Sequence, residues 1–327
     1  MDIVRKIKEA GLKGKGGGGF PTGLKWEIAK KAVGTKKYVI CNASEGEPNV
    51  FKDGYILENY PEEVINGINI AADFLDAEYS YIYLNKDYYK KIKINLENII
   101  GKNKIIIFEK KAGYIGGEET VVCAAIEGKR IEPRAKPPFL TNCGLFNCPT
   151  LMNNVETFYH ISKISKGEYK KTRFYSVNGD VINPGVYELP ENLTIIQILK
   201  ETNNYPNFEF FVQAGGGVSG EIMLENELNS LVCGTGSITV FNKKQTDIYI
   251  LMEKWAEFYH KGNCDKCTPC REGAYRIYEM MKKKEIDIEI LEDIFLSLKK
   301  TSFCSLGRGM PLPFESLIKK IKNENKT

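Results

Sequence analysis

Histidine is nearly missing from this chain of 327 residues: only His160 and His260 occur, which leaves little room for a mechanism built on several imidazoles. An excess of one charge is missing too. Lys plus Arg (46) against Asp plus Glu (42) gives +4, too balanced for a broad phosphate-binding face, so nucleic acid is not an expected partner. No apolar run reaches the roughly 18 residues that cross a bilayer, so no direct membrane insertion is expected. The opening MDIVRKIKEAGLKGKGGGG lacks the apolar stretch of a secretory signal, which points to a soluble, cytoplasmic protein.

What is present is enough for a large core: 43% hydrophobic, 27% charged and 11% aromatic residues, sufficient for two or three domains. Nine cysteines are many for the cytoplasm, and an odd number cannot all pair, so metal ligation or redox chemistry is a better expectation than disulfides.

Along the first 167 residues, helical and β-rich stretches alternate. A short amphipathic helix around Ile3, Val4 and Ile7 ends at Gly11. Strand-like runs stand at 38–42, 79–84 and 104–109, with helical stretches at 24–33, 61–76 and 86–99, an α/β pattern of layered type. From about 168 the texture becomes FYSVNGDVINPGVYEL and a helical LTIIQILKET, a small α+β insert over 168–243. After a strand-like QTDIYILM, residues 244–327 read as a helical bundle whose end, IKKIKNENKT, is expected to be a fraying, solvated helix.

Cys264, Cys267 and Cys270 form C-x2-C-x2-C, and Cys304 follows in TSFCSLG. Three closely spaced thiolates and a distant fourth suit a [4Fe-4S] cubane, whereas zinc usually takes two separated pairs. Pro269 between the ligands brings no N–H of its own. Cys41, Cys123, Cys143, Cys148 and Cys233 lack such spacing and read as small buried hydrophobes, although Cys143 and Cys148 resemble a half-site.

Gly14 to Gly19 (GKGGGG) formally matches G-x-G-x-x-G, but it follows a helix rather than a strand, so it fails the dinucleotide-fold context. Its bare backbone still suits a cradle for a flat or phosphorylated ligand, the alternative being a flexible linker. Asn42-Ala43-Ser44-Glu45-Gly46-Glu47 follows a strand, where its glutamates are placed to accept from ribose hydroxyls or a carboxamide, or it is a polar turn before Asp53-Gly54. Gly117-Glu118-Glu119 fits either a ligand or the start of a helix. Lys136-Pro137-Pro138-Phe139 is a stiff extended run whose aromatic suits stacking on a purine or packing in the core, and Asn153-Asn154 suits a phosphate or a helix cap.

The order and wording of five segments, KGKGGGGFPTGLKW, NASEGEPNVFKD, GYIGGEETVVCAAIEGKRIEPRAKPPF, PTLMNNVET, and CDKCTPCREG with FCSLG, resemble the flavin- and NADH-binding subunit of respiratory complex I and its relatives in NAD-linked hydrogenases and formate dehydrogenases. The resemblance covers about residues 11–310. It implies an FMN- and NADH-binding α/β domain (1–167), a β-grasp insert of the soluble-ligand-binding type (168–243) and a helical [4Fe-4S] domain (244–327). It also implies that Gly14, Gly16, Gly17, Gly19, Lys25 and Asn42 contact the flavin, with Glu118, Asn153 and Asn154 completing its pocket and phosphate site. Ser44, Glu45 and Gly117 belong to the same cofactor-binding set. Phe20, Glu47, Glu119, Lys136 and Phe139 then face the dinucleotide, and Cys264, Cys267, Cys270 and Cys304 hold the cluster.

The activity implied is hydride exchange between NAD(H) and FMN, followed by one-electron transfer through the cluster to other iron-sulfur subunits, a thioredoxin-like [2Fe-2S] subunit among them. No protein acid or base is required. Ser44 stands where the family usually has Asp and Gly116 where it usually has Cys; Lys15 and Gly18 are milder departures. The segment before the glycine loop is short, and ferredoxin-like and thioredoxin-like modules are not seen, which points to a short-form bacterial or archaeal complex. Two alternatives follow: an electron-bifurcating module in which the flavin also exchanges electrons indirectly with ferredoxin, and a relay or scaffold subunit without nucleotide binding. The acids Glu47 and Glu119 near a ribose favour NADH over NADPH. The insert, with no convergent polar cluster, is expected to be a spacer and docking surface.

Overall fold

The structure is a computed structural model that describes residues 2–324. Its first part runs α1 (Ile3–Glu9), α2 (Thr22–Lys31), β1 (Tyr38–Ala43), α3 (Lys52–Asn59), α4 (Pro61–Leu75), β2 (Tyr79–Leu84), α5 (Lys86–Ile100), β3 (Ile105–Glu109), α6 (Glu119–Ile126), β4 (Thr150–Asn154) and α7 (Val155–Lys166). The middle part runs β5 (Thr172–Gly179), β6 (Gly185–Pro190), α8 (Ile195–Glu201), β7 (Phe210–Ala214), β8 (Glu221–Leu224) and β9 (Ser237–Asn242). Helices close the chain: α9 (Ile248–Gly262), α10 (Thr268–Lys283), α11 (Ile288–Thr301), α12 (Ser305–Gly309) and α13 (Pro311–Glu324).

The first four strands form a parallel sheet in the order β3-β2-β1-β4. Val39 and Cys41 point into one apolar cluster with α4 and α7, while Tyr38 and Ile40 point into a second cluster with α6, so β1 is buried on both faces as a central parallel strand must be. The second sheet, β6-β5-β9-β7-β8, pairs β5 with β9 in parallel and its other neighbours antiparallel, with α8 as the crossover, which is the β-grasp arrangement. One further core joins Ile115 and Val121 of the first part, Phe211, Val218 and Ile222 of the insert, and Trp255, Ile277, Phe295 and Phe314 of the helices. The three parts are therefore fused through shared apolar contacts. No described helix is long and apolar enough to cross a membrane.

Three local readings are corrected. Asp53-Gly54 does not make a turn but opens α3, because the Glu45 carboxylate accepts from the N–H groups of Asp53 (3.1 Å) and Gly54 (3.2 Å) and so caps the helix from outside. The run QTDIYILM is not a strand: Asp247 accepts from Tyr249 N (2.8 Å) and Ile250 N, and Met252, Trp255, Ala256 and Tyr259 recur at helical spacing into the core. The cap and the 3.6-residue period override the β-branched composition. Of the five unclustered cysteines, Cys41 and Cys123 are buried, but Cys143 and Cys148 are half-exposed and Cys233 is exposed. The last residues of the lysine-rich tail, 325–327, lie outside the described residues.

Helices α4 and α7 approach so closely that a Cβ on Gly67 would lie 2.1 Å from Phe158 O, a backbone atom that cannot swing away. Gly67→Ala is therefore expected to lower stability by about 3 kcal/mol, visible as a fall in thermal midpoint, whereas Gly309→Ala, with open space around it, changes little.

Candidate functional site

In a sheet ordered β3-β2-β1-β4 the order of strand addition reverses between the parallel neighbours β1 and β4, and a crevice opens beyond the carboxyl ends of those strands. A cleft of about 920 Å³ occupies this place. Every residue expected to bind flavin or nucleotide lines it except Lys136 and Phe139. Lys136 sits at the rim, bridging Glu118 (2.8 Å) and Glu119 (2.7 Å). Phe139 is 54% exposed, in a loop entered through cis bonds at Pro137 and Pro138, which replace the extended run expected there.

The glycine loop is pinched at its base, where Gly14 N donates to Phe20 O at 2.9 Å, and it is anchored where Lys15 N donates to Thr157 Oγ1 at 3.0 Å. Gly17 (φ 105°) and Gly19 (φ 61°) take conformations that other residues avoid. A Cβ on Gly16 would stand 3.0 Å from Asn154 Cβ, and one on Gly117 would stand 2.8 Å from Ser44 Oγ. Side chains at these points would crowd the cleft's own walls, as expected of a cradle for a flat ligand.

Around the cradle most polar groups are fixed by other protein groups. Asn42 donates to Gly117 O (3.0 Å) while its oxygen accepts from Ser44 N (3.2 Å) and Ser44 Oγ (2.5 Å). Asn153 satisfies both neighbours when its oxygen faces the Trp26 indole N–H at 3.0 Å. Lys25 donates to Met152 O at 2.6 Å, and burial holds its pKa below the usual lysine range against the opposing pull of Glu119. Glu118 caps α6 through Thr120 N (2.8 Å) and Val121 N (3.1 Å).

The glutamates expected to meet ribose hydroxyls are also engaged. Glu45, besides capping α3, accepts from Tyr88 OH at 2.8 Å, and burial followed by repulsion from Asp53 pushes its pKa up to about 7. Glu47 accepts from Val218 N (2.9 Å) and Ser219 N (2.6 Å) of the insert, and burial raises its pKa.

Two contributors escaped the sequence reading. The first is a buried ionic cluster on the cleft floor: Lys52 Nζ meets Asp53 Oδ1 (2.6 Å), Glu156 Oε2 (3.1 Å) and Asn154 Oδ1 (3.1 Å). Burial alone would lower the Lys52 pKa, but Asp53, Glu156 and Glu45 together lift it above the usual range, so the ammonium stays charged. The second is the insert itself, which walls one side of the cleft with Gly215, Ser219, Gly220, Ser230 and Cys233 to Thr235. It is more than a spacer. Its Gly215-Gly216-Gly217-Val218-Ser219-Gly220 run was the available signal.

The cysteine segment also reaches the cleft. Cys267 is the N-cap of α10, with Pro269 in the first turn, and Cys304 is the N-cap of α12. Burial raises the Cys270 pKa most, followed by the charges of Cys267, Cys304 and Cys264, and all four cysteines border one apolar cluster. Cys304 is raised by burial and by Cys264 and Glu118, and lowered by N–H donors from Leu306 and Gly307. Among the described residues, no group of three or more Cys, His, Asp or Glu is gathered around a point that would hold a single metal ion. A cubane, whose four ligands sit at separate iron corners, asks for four converging thiols with N–H donors to sulfur, and this donor set fits it. Ser305, Leu306 and Leu312 line the cleft directly.

A glycine-walled cleft at a topological switch point, joined by one wall to a four-cysteine corner, defines the class of flavin- and iron-sulfur-binding electron-transfer proteins. Residues 7–163 match the family described as the Nuo51 FMN-binding domain, and residues 251–327 match the NADH-ubiquinone oxidoreductase-F iron-sulfur binding region. The second F-type NADH-quinone oxidoreductase subunit of Rhizobium meliloti is 34% identical over 99% of this chain and 87% of that protein. The HndC subunit of the NADP-reducing hydrogenase of Solidesulfovibrio fructosivorans is 31% identical over 99% of this chain and 75% of that one. The crystal structure of an NAD+-reducing [NiFe]-hydrogenase in the H2-reduced state superposes with a TM-score of 0.91 at 27% identity over 98% of this chain, which spans 62% of the hydrogenase chain. The chain belongs to the family of F-type NADH-quinone oxidoreductase subunits, as an oxidoreductase component with an FMN-binding domain and a [4Fe-4S] region.

The raised Glu45 pKa has a definite sign. A carboxyl whose folded pKa lies near 7 instead of the usual 4.5 binds more protons folded than unfolded between those values, so stability falls as pH rises through that window. Glu45→Gln keeps one acceptor oxygen, enough for Asp53 N and Gly54 N as Glu45 Oε2 serves both, while removing the charge. Thermal unfolding of the variant between pH 5 and 8 (roughly the window set by the two pKa values) is expected to show a flatter decline than the parent.

Proposed function

We propose that this chain exchanges a hydride between NAD(H) and FMN in the glycine-walled cleft and passes single electrons through a [4Fe-4S] cluster to a partner iron-sulfur subunit. The observation that carries the reading is the shared wall: Ser305 and Leu306, next to Cys304, line the cleft, and Glu118 lies close enough to Cys304 to affect its ionisation. FMN would supply two-electron acceptance and one-electron release.

The residues supply position. Gly14, Gly16, Gly17 and Gly19 let the backbone lie against the flavin, with Lys25, Asn42, Ser44, Gly117 and Glu118 around it. The Asn153-Asn154 pair would complete the phosphate site, with the Lys52 ammonium beneath it already matched by Asp53 and Glu156. Phe20, 47% exposed, and the Lys136–Glu119 pair would meet the dinucleotide. Phe139, in its exposed loop, would stack on the adenine. Glu45 and Glu47 act one step back, fixing the loop between them. Because Glu47 and Glu119 are both engaged, their power to repel a 2′-phosphate is blunted, and the choice of NADH over NADPH rests on the likeness to the NADH-quinone oxidoreductase subunits and not on the NADP-reducing hydrogenase subunit. Cys264, Cys267, Cys270 and Cys304 would hold the cluster, with Leu306 and Gly307 N–H groups tuning the Cys304 sulfur. The three functional units would run 1–167, 168–243 and 244–327; in support, β5 starts at Thr172 and α9 at Ile248.

The full chain, isolated anaerobically with flavin and iron, is the material for the test. NADH should bleach the flavin absorbance and then bring up a reduced-cluster paramagnetic signal. Cys270→Ser should abolish that signal while NADH bleaching survives. Absence of bleaching by either nicotinamide cofactor, or zinc in place of iron, would overturn the reading.

A further inference from the structure

A second cleft, about 1050 Å³, lies apart from the one that gathers the cofactor residues. It lies across the 44–48 loop from the flavin cleft, and Gly46 and Tyr114 border both. Its walls are the carboxyl ends of β2 and β3, the first turn of α5, Gly217 and Val218 of the insert, and α9 from Leu251 to Gly262.

Five lysines face it, Lys86, Lys110, Lys111, Lys254 and Lys261, against three acids, Asp87, Glu109 and Glu257. Glu257 is taken by Lys261 at 2.5 Å. Lys111 lies over the Phe108 ring at 5.5 Å. Lys86, Lys110 and Lys254 form no ion pair with any described residue.

Lys110 is the unusual one. It is only 7% exposed, and among the described residues its ammonium donates one hydrogen bond, to Ser44 O at 2.9 Å. An ammonium has three donors, and burying one without an anion is costly. Two glycines make its room: a Cβ on Gly116 would stand 3.0 Å from Lys110 Cε, and one on Gly46 would stand 3.0 Å from Nζ. Burial draws its pKa down to about 8, so the charge is present at neutral pH but uncompensated. The same cleft carries an apolar wall, the half-buried rings of Tyr114 and Phe258, with centroids 4.8 Å apart and planes tilted by 55°.

We propose that this cleft is a second ligand site, taking an organic phosphate that carries an aromatic ring, of the nucleoside di- or triphosphate class, with its phosphates at Lys110 and Lys254 and its ring on the Tyr114–Phe258 wall. The charge surplus selects the phosphate, and the paired rings select a flat partner. The site does not depend on the flavin reading. A ligand here competes with the Ser44 carbonyl for one ammonium, on the loop that walls the flavin cleft.

Calorimetric titration of the full flavin- and iron-loaded chain with ADP, with and without saturating NADH, tests it. ADP should bind in the presence of NADH. Lys110→Met and Lys254→Glu should each weaken ADP about ten-fold, the loss of one charge-assisted contact. Pyrophosphate, which has no ring, should bind about ten-fold more weakly than ADP. Lys254 is exposed on α9 and lines no part of the flavin cleft, so Lys254→Glu reports on this site even if Lys110→Met disturbs the loop. Displacement of ADP by NADH, affinity within two-fold of the parent in Lys254→Glu, or pyrophosphate binding as tightly as ADP would each overturn the proposal.

Discussion

A single buried ammonium organises the flavin side of this protein. Lys52, with its side chain 2% exposed, is compensated by Asp53 beside it in α3 and by Glu156 in the first turn of α7. Glu156 in turn accepts from Phe174 N at 2.9 Å, where β5 begins the insert, and Asn154 reaches from the end of β4 to Asp53 Oδ2 at 2.6 Å. Burial would raise the Glu156 pKa, but Lys52 and then His160 hold it well below the usual carboxylate range, so both partners stay ionised. Removing one member of such a set strands a charge in a dry interior, which typically costs about 3–5 kcal/mol. The set joins α3, β4, α7 and β5 at one point beneath the cleft.

The cleft above it is made by three stretches of chain that are distant in sequence. The glycine loop and strand ends give the floor, the insert gives one wall, and the segment after Cys304 gives another. A common apolar core holds these stretches in register, since Ile115, Val218 and Leu306 belong to one cluster. Electron transfer between a flavin and a cluster depends on a fixed separation, and a shared core is the kind of support that fixes one.

Much of this was legible in the residues. The parallel strands at 79–84 and near 38–42 and 104–109 read correctly because each is a continuous apolar run bounded by breakers, and the spaced cysteines announced themselves. The motif residues were legible as a set because their wording matches the family. What was hidden is long-range partnership. Nothing local in Asp53-Gly54 says that a carboxylate eight residues upstream will cap a helix there. Nothing in Glu47 says that its partners are the amides of Val218 and Ser219. QTDIYILM misled because its β-branched composition was weighed over the cap at Asp247. The AGGGVSG segment was visible, but its meaning lies in what it touches.

That touch is close. A Cβ on Gly216 would come within 2.7 Å of Glu47 Oε1, and one on Gly217 within 1.4 Å of Pro48 O. The insert and the loop that receives it therefore behave as a moulded pair and not as interchangeable modules. A chimaera that grafts the insert of another member onto this chain would carry over its own small residues only by chance of descent, and without them the seam could not close. The fit of the two stretches is thereby tied together: no side chain larger than glycine's hydrogen fits at Gly217 without moving the Pro48 backbone.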